Sequence, residues 1–298
     1  MKSLSHSRRL RTKIRLAEPC LLEVSDHFWT HAQLAQMFPE FLFLMHSIIR
    51  SSVSLINAAA ESSQRRADSD LVCRKITAYY KTHGLEEMHH DDWLLEDMAA
   101  IGMERSEVLV RLPSPAVASL VGAQYYWALH VHPVALFGYL AVLEGSPPSL
   151  RQLNEIRTRN GLPAEGLRTI VKHSRLDPHH RDEIYAQLDD LPLNRNLSEL
   201  VALSAFHTIE HISQALQEIL DSHRNGSVFK DRSRRQFNET TKSQRFSASV
   251  RSRWSGESSA SAISRHRALQ AGGPPVANPG PCKRSNPGPH GTLRSPRV

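Results

Sequence analysis

Histidine and carboxylate residues recur at helical spacing in two separate segments of the chain. In the first segment, His83, Glu87 and His90 stand at positions i, i+4 and i+7. At about 100° per residue these three side chains fall within roughly 60° of one another on one face of a helix. Glu87 and His90 alone form Glu-x-x-His, the spacing with which helical bundles present a carboxylate and an imidazole to one metal ion. The segment therefore predicts metal ligation.

The second segment repeats this pattern with a different carboxylate. His173, Asp177 and His180 again stand at i, i+4 and i+7. Imidazole nitrogen and carboxylate oxygen suit iron or manganese, whereas a thiolate site would need clustered cysteines. The chain has three cysteines without C-x-x-C spacing, so neither a zinc–thiolate site nor a disulfide framework is predicted.

Glu144 is the candidate for a carboxylate that bridges two metal ions. It stands directly before Gly145, at the expected end of a helix. A carboxylate there faces the negative end of the helix dipole, which is unfavourable by up to about 1 kcal/mol. A bound cation would reverse that penalty. The preceding helix face offers an apolar wall for a substrate pocket, formed by Phe137, Leu140 and Ala141.

The predicted ligands comprise three imidazoles and three carboxylates: Glu87, His90, Glu144, His173, Asp177 and His180. Their combined charge of about −3 neutralises most of the charge of two ferrous ions, which lowers the cost of burying the site.

The elements that must position these residues read as helices. Long segments carry the 3.6-residue period, and strand-like alternation is absent. The pattern predicts an all-α bundle of six or seven helices joined by short links. The predicted helices cover about 32–61 with a bend near Pro39, 68–100, 114–145, 150–159, 164–175, 179–190 and 196–220.

Charge and composition divide the chain into three parts. Residues 1–30 are a basic N-terminal extension, residues 31–221 are the helical domain, and residues 222–298 are a basic Ser/Arg/Pro/Gly-rich tail. The tail carries 15 Lys/Arg and 3 Asp/Glu, which leaves the rest of this +7 chain mildly acidic. With few aliphatic residues, the tail is expected to be disordered. Its charge would allow contact with nucleic acid.

The sequence predicts neither export nor a membrane span. The N-terminus lacks the apolar core of a secretory signal, and no stretch reaches the roughly 18 uninterrupted apolar residues of a membrane span. A soluble cytoplasmic protein is therefore expected.

Three stretches resemble, in order, the signatures of one known family, the haem-oxygenase-like di-iron oxidases and oxygenases, also described as iron-containing redox enzymes. The family's Hx3Ex2H-type segment is similar to HGLEEMHHDDWLLEDMAAIG, its bridging-glutamate segment to HPVALFGYLAVLEG, and its HxxxDxxH helix to HSRLDPHHRDEIYAQLDDLPL. The resemblance extends over roughly residues 35–221. The combination of all three is specific, whereas each one alone is not.

This resemblance implies a haem-oxygenase-like bundle of about seven helices that binds two Fe(II) ions instead of haem and activates dioxygen. Members of the family oxidise amines, cleave C–C bonds of fatty or amino acids, or modify themselves. By position the six ligands carry over, with His83 and Glu86 as rivals to Glu87. The implied partners are dioxygen and a small organic substrate, and an external electron donor and a homodimer are compatible with the family.

Three alternatives remain open from the sequence. A non-catalytic member of the same fold would bind one metal ion or none. A nucleic-acid-associated protein would act through the basic tail and bind in a salt-sensitive manner. A thiaminase-like hydrolase would need a positioned nucleophilic cysteine, and Cys73 has no evident partner base in the sequence. No general acid or base can be named.

Overall fold

All regular structure in the computed structural model, which describes residues 4–224, is helical, as the sequence predicts. The described part contains more helices than expected, because two predicted ones are divided and three short helices were not predicted. Residues 225–298, most of the predicted basic tail, lie outside the described residues. The α-helices are α1 (His6–Ala17), α2 (Pro19–Thr30), α3 (Leu34–Arg66), α4 (Leu71–Glu86), α5 (His90–Ala100), α6 (Arg105–Val110), α7 (Pro115–Tyr126), α8 (Leu136–Leu143), α9 (Leu150–Asn160), α10 (Arg168–Asp190) and α11 (Arg195–Arg224).

Helix α3 forms the centre of the bundle. It packs against α4, α5 and α7, and it buries Leu42, Leu55 and Ile56 completely. Among the described helices it alone is long and apolar enough to cross a membrane by length and composition. Its buried side chains are instead spaced along its length at helical period, which is typical of a core helix. It continues through Pro39 without interruption.

The first thirty residues, expected to be an extension, contain α1 and α2. Both helices pack against α11, and α1 also contacts α10. Phe28 is completely buried. The Asp189 carboxylate in α10 accepts hydrogen bonds from the Ser7 N–H and the Ser7 hydroxyl, each at 2.7 Å. These contacts attach α1 to the helix that carries the second histidine segment.

Two predicted long helices are interrupted in the structure. The helix expected over 68–100 ends at Glu86 and restarts at His90, because His89 adopts a left-handed backbone conformation with φ of 69°. The helix expected over 114–145 changes into a π-helix at Trp127–Val131, and His132 is then extended. Proline disfavours helical conformation in the residue before it, so Pro133 explains the second interruption.

Two helices that were expected to be separate, over 164–175 and 179–190, are largely joined into one helix in the structure. Residues 164–167 form a 3-10 helix, and α10 then runs without a break from Arg168 to Asp190. Pro178 lies inside it. The restriction that proline imposes on Asp177 is overcome here by tertiary packing, so Asp177 is a mid-helix residue and not the first residue of a new helix.

Helix α8 lies unusually close to α11, and this contact fixes the position of Glu144. A Cβ atom added to Gly138 would lie 2.1 Å from the Val201 carbonyl oxygen and 2.7 Å from the Ala205 nitrogen. Only glycine fits such an approach of one backbone to another. Glu144 directly follows the last residue of α8.

Candidate metal centre

The break between α4 and α5 determines where the first segment presents its ligands. His83 lies in the last turn of α4, Glu87 follows its end, and His90 begins α5. The Glu87 N–H still donates to the His83 carbonyl at 3.0 Å. Asp91 and Asp92 in the first turn of α5 favour a helix start there, since carboxylates stabilise a helix N-terminus.

The second segment is held by a carboxylate of α5. Asp97 is buried, and it accepts hydrogen bonds from the Thr169 N–H at 2.8 Å and from the Arg168 guanidinium at 3.2 Å. Both donors belong to the first turn of α10, where backbone N–H groups have no partner within the helix. Asp97 therefore fixes the start of the helix that carries His173.

One group of candidate ligands surrounds Glu144. His83 Nε2 lies 3.2 Å from Glu144 Oε1, and His180 Nδ1 lies 3.4 Å from Glu144 Oε2. Glu86 Oε2 lies 3.8 Å from His83 and 3.9 Å from His180. His83, Glu86 and His180 offer three ligand atoms within 4.8 Å of one another, so both rivals named from the sequence lie at this site.

The other group pairs each remaining histidine with a carboxylate. His90 Nδ1 lies 3.0 Å from Glu87 Oε2, and His173 Nδ1 lies 3.0 Å from Asp177 Oδ1. The imidazole rings of His90 and His173 meet edge to face, with centroids 5.0 Å apart. The two sequence segments, 83 residues apart at these histidines, therefore converge.

Glu87 is the carboxylate that contacts both groups. Its Oε2 approaches His90, and its Oε1 lies 3.5 Å from His180 Nδ1. Glu144, the bridge predicted from the sequence, contacts His83 and His180 in the first group. Glu87, and not the predicted Glu144, is therefore the carboxylate that links the two groups.

Several polar atoms in the centre are buried without a hydrogen-bond partner. Buried polar groups are nearly always satisfied, so a cluster of exceptions requires an explanation, such as a bound ion. Although His180 Nδ1 and Glu144 Oε2 are close, their approach lacks hydrogen-bond geometry. The unpartnered atoms in the centre are His83 Nδ1, Glu87 Oε1, Glu144 Oε2, His173 Nε2 and His180 Nδ1.

Mutual contact also shifts the acid–base equilibria. The Glu144 carboxylate raises the pKa of His180 to about 9. Burial alone would lower the pKa of His83 and His173, but the neighbouring carboxylates outweigh it and raise both values. Burial raises the pKa of Asp177. In the absence of metal, protons on the imidazoles thus balance the buried negative charge, a role that metal cations can take over.

Aromatic rings cover two of the candidate histidines, His83 and His90. Tyr79 stacks on His83 at a centroid distance of 5.5 Å, and Trp93 stacks on His90 at 4.0 Å. Phe137 stacks in turn on Tyr79. Phe137, Leu140 and Ala141, the residues predicted to form a substrate pocket, are all buried. They do not line the larger described cavity, of about 590 Å³, which lies between α3, α7 and α11.

Cys73, the residue on which a thiaminase-like hydrolase would depend, is unsuited to nucleophilic attack. Its side chain is fully buried, although His132 Nε2 lies 3.4 Å from its sulfur and supplies the partner base that the sequence did not reveal. Burial and the nearby Asp70 raise the pKa of its thiol to about 12, so the reactive thiolate is scarce at neutral pH.

Comparison with known proteins identifies a family over the same part of the chain. A profile of the family described as iron-containing redox enzymes matches residues 79–212, which include all the candidate ligands. None of the curated proteins compared matches the chain.

Two solved structures show the fold. One is a domain of unknown function with a heme oxygenase-like fold from Shewanella denitrificans OS217, with a TM-score of 0.59, 19% identity, and coverage of 73% of this chain and 91% of that chain. The other is a TenA homolog from Pseudomonas syringae pv. tomato strain DC3000, with a TM-score of 0.57, 11% identity, and coverage of 72% and 92%. The predicted haem-oxygenase-like fold is confirmed.

Proposed function

We propose that this chain, whose residues 79–212 match the profile of the iron-containing redox enzymes, is a non-haem di-iron oxidase or oxygenase that uses dioxygen to oxidise a small organic substrate. The observation that carries the proposal is the convergence of the two histidine segments around buried atoms without hydrogen-bond partners. Imidazole and carboxylate are the donors that iron takes in such sites. The donor set and the unpartnered atoms therefore both fit iron.

The residues divide between two ions according to their contacts. His83, Glu144 and His180 would hold one ion, with Glu86 as a further oxygen donor at the exposed edge. His90, His173 and Asp177 would hold the other. Glu87 would lie between the two. The chemistry that two ferrous ions supply in such a centre is the reductive activation of dioxygen.

The surrounding side chains control access and solvation. Tyr79, Trp93 and Phe137 keep water away from the imidazole rings, since they stack on them or on one another. The Glu86 side chain is 39% exposed, far more than any other candidate ligand, so solvent reaches the centre on that side. A substrate would enter there. The substrate class remains the one implied by the sequence resemblance, a molecule of the amine, amino-acid or fatty-acid type.

Metal content tests the proposal directly. The purified chain is loaded anaerobically with ferrous iron, desalted and measured by mass spectrometry, beside Asp177→Ala and the matched control Glu183→Ala. Glu183 lies on the same helix with a side chain 41% exposed. We expect about two irons per chain in wild type and control, and about one in Asp177→Ala.

Dioxygen uptake by the loaded protein is then followed with candidate substrates. One iron or none in the wild-type chain, or a value unchanged in Asp177→Ala, would contradict the di-iron proposal and leave the fold assignment intact. Two irons without dioxygen consumption in the absence or presence of substrate would contradict the oxidase assignment alone.

A further inference from the structure

A second cluster of ligand-type side chains lies at the start of α4. It contains Asp70, Cys73 and His132, whose ligand atoms lie within 4.8 Å of one another. Cys73 Sγ lies 3.4 Å from His132 Nε2, which lies 3.0 Å from Asp70 Oδ2. None of these residues contributes to the iron centre proposed above.

Local structure brings the three residues together. Asp70 caps α4 and accepts a hydrogen bond from the Cys73 N–H at 3.0 Å. His132 occupies the extended link between the π-helix and the short 3-10 helix Pro133–Ala135. The Arg66 guanidinium donates to the carbonyls of Val131 and Leu129, which holds this link against the end of α3.

From this cluster we propose that Asp70, Cys73 and His132 form a binding site for one zinc ion, with water as the fourth ligand. A thiolate, an imidazole nitrogen and a carboxylate oxygen are all zinc ligands, and three protein ligands plus water is a regular zinc arrangement. Cys73 and His132 are buried, while the Asp70 side chain is 32% exposed and leaves an entry path. The site is separate from the iron centre and does not depend on the proposed oxidase function.

Zinc must compete with a hydrogen-bonded arrangement of the same atoms. His132 Nδ1 accepts from the Val134 N–H at 3.1 Å, which places the ring proton on Nε2, where it is donated to Asp70. Zinc would take Nε2 and force the proton to Nδ1, at the cost of that backbone hydrogen bond. The protonated Nδ1 would then face the buried Val134 N–H, and leaving that donor unpaired weakens binding by about 10- to 100-fold. Zinc must also displace the thiol proton of the buried Cys73, which is a further cost, and three metal–ligand bonds have to outweigh both.

The site would join two parts of the chain that lead to the iron centre. Asp70 and Cys73 begin the helix that ends near His83. His132 begins the link that leads through α8 to Glu144. Zinc would therefore fix the first residues of α4 and of this link. At the opposite ends of the same two elements, His83 Nε2 lies 3.2 Å from Glu144 Oε1.

Cobalt substitution tests the proposal, because cobalt bound to a thiolate gives a charge-transfer band in the near ultraviolet. The iron centre contains no sulfur ligand, so cobalt bound there gives no such band. The parent protein is the full chain with Cys20→Ser and Cys282→Ser, which leaves Cys73 as its one cysteine. We expect the band in the parent, its loss in Cys73→Ala, and its abolition when zinc is added.

Two further measurements complete the test. Zinc affinity should fall at least about 100-fold in Cys73→Ala, beyond what loss of an outer-sphere partner costs, while ferrous-iron stoichiometry stays at the parent value. No band in the folded parent would overturn the proposal and leave the three residues as a hydrogen-bonded helix cap. A band that persists in Cys73→Ala would overturn it as well, because the sulfur ligand would then be absent.

Discussion

The two histidine segments of this protein have the same spacing but different backbones. Both read His, carboxylate, His at i, i+4 and i+7, and both contain a His-His pair, His89-His90 and His179-His180. The first segment crosses the break between α4 and α5, whereas the second lies within the continuous helix α10, which even includes Pro178. Equal spacing therefore does not imply equal local structure, and tertiary packing decides which segment stays helical.

This difference in backbone changes which residues the middle carboxylate of each segment, Glu87 or Asp177, can contact. Asp177 stays on its helix and contacts His173, its own partner at i−4. Glu87 lies beyond the end of α4 and contacts His90 and His180, which belong to different segments. A carboxylate that lies beyond the end of a helix can thus contact both groups of candidate ligands.

The largest expected effect concerns these two carboxylates. Because Glu87 contacts both ligand groups, Glu87→Ala should lower ferrous-iron content from about two per chain to well below one, whereas Asp177→Ala should leave about one. Metal analysis after anaerobic loading checks this difference. Equal iron contents in the two variants would contradict this prediction, because Glu87 and Asp177 would then contribute equally to iron binding.

The comparison also requires that α8 hold Glu144 in place. Gly138→Ala should lower the free energy of unfolding by about 1–3 kcal/mol and reduce iron binding, because the new methyl group would overlap the backbone of α11. Gly122→Ala is the matched control in α7, where nothing lies within 4 Å, and it should raise that free energy by about 0.5–1 kcal/mol. Chemical denaturation measures both. Equal effects would show that α8 and α11 are not in close contact.

Pro178→Ala examines the continuity of α10. Proline inside a helix removes one hydrogen bond and crowds the preceding turn, so alanine should raise the free energy of unfolding by about 1–3 kcal/mol. Iron content should remain at the wild-type value, since the segment is already helical. A loss of iron would mean that the proline itself orients Asp177 and that α10 is less regular than described.

The smallest expected effect is a change in the free energy of unfolding that has opposite signs at His89 and His179, the exposed histidines that precede His90 and His180. His89 and His179 each have a side chain that is 71% exposed and lies 3.3 Å from a carboxylate. His89→Gly should raise the free energy of unfolding by about 0.5–1 kcal/mol, because glycine adopts positive φ without strain. His179→Gly should lower it by about 0.5 kcal/mol, because glycine disfavours a helix interior. Thermal denaturation that shifts in the same direction for both would contradict the backbone difference.

Sequence patterns were sufficient for the helical class and the fold, because periodicity and residue chemistry are local properties. The six predicted ligands lie close together in the structure, and their binding of metal stays a prediction. The break at His89 could not be predicted, since no proline or glycine marks residues 87–89, and Gly84 nearby stays helical. The interruption at His132 did have a signal, the following Pro133, which the helical period over 114–145 concealed. The pairing of Cys73 with His132 depends on a contact across 59 residues, which no local pattern records.

The break at His89 also affects how the sequence can change in length. One residue inserted at Met88 would be absorbed between two helices, so that His83 and His90 could keep their positions on α4 and α5. One residue inserted between His173 and His180 would instead rotate half of that segment by about 100° around the axis of α10. The first segment should therefore tolerate a one-residue insertion better than the second.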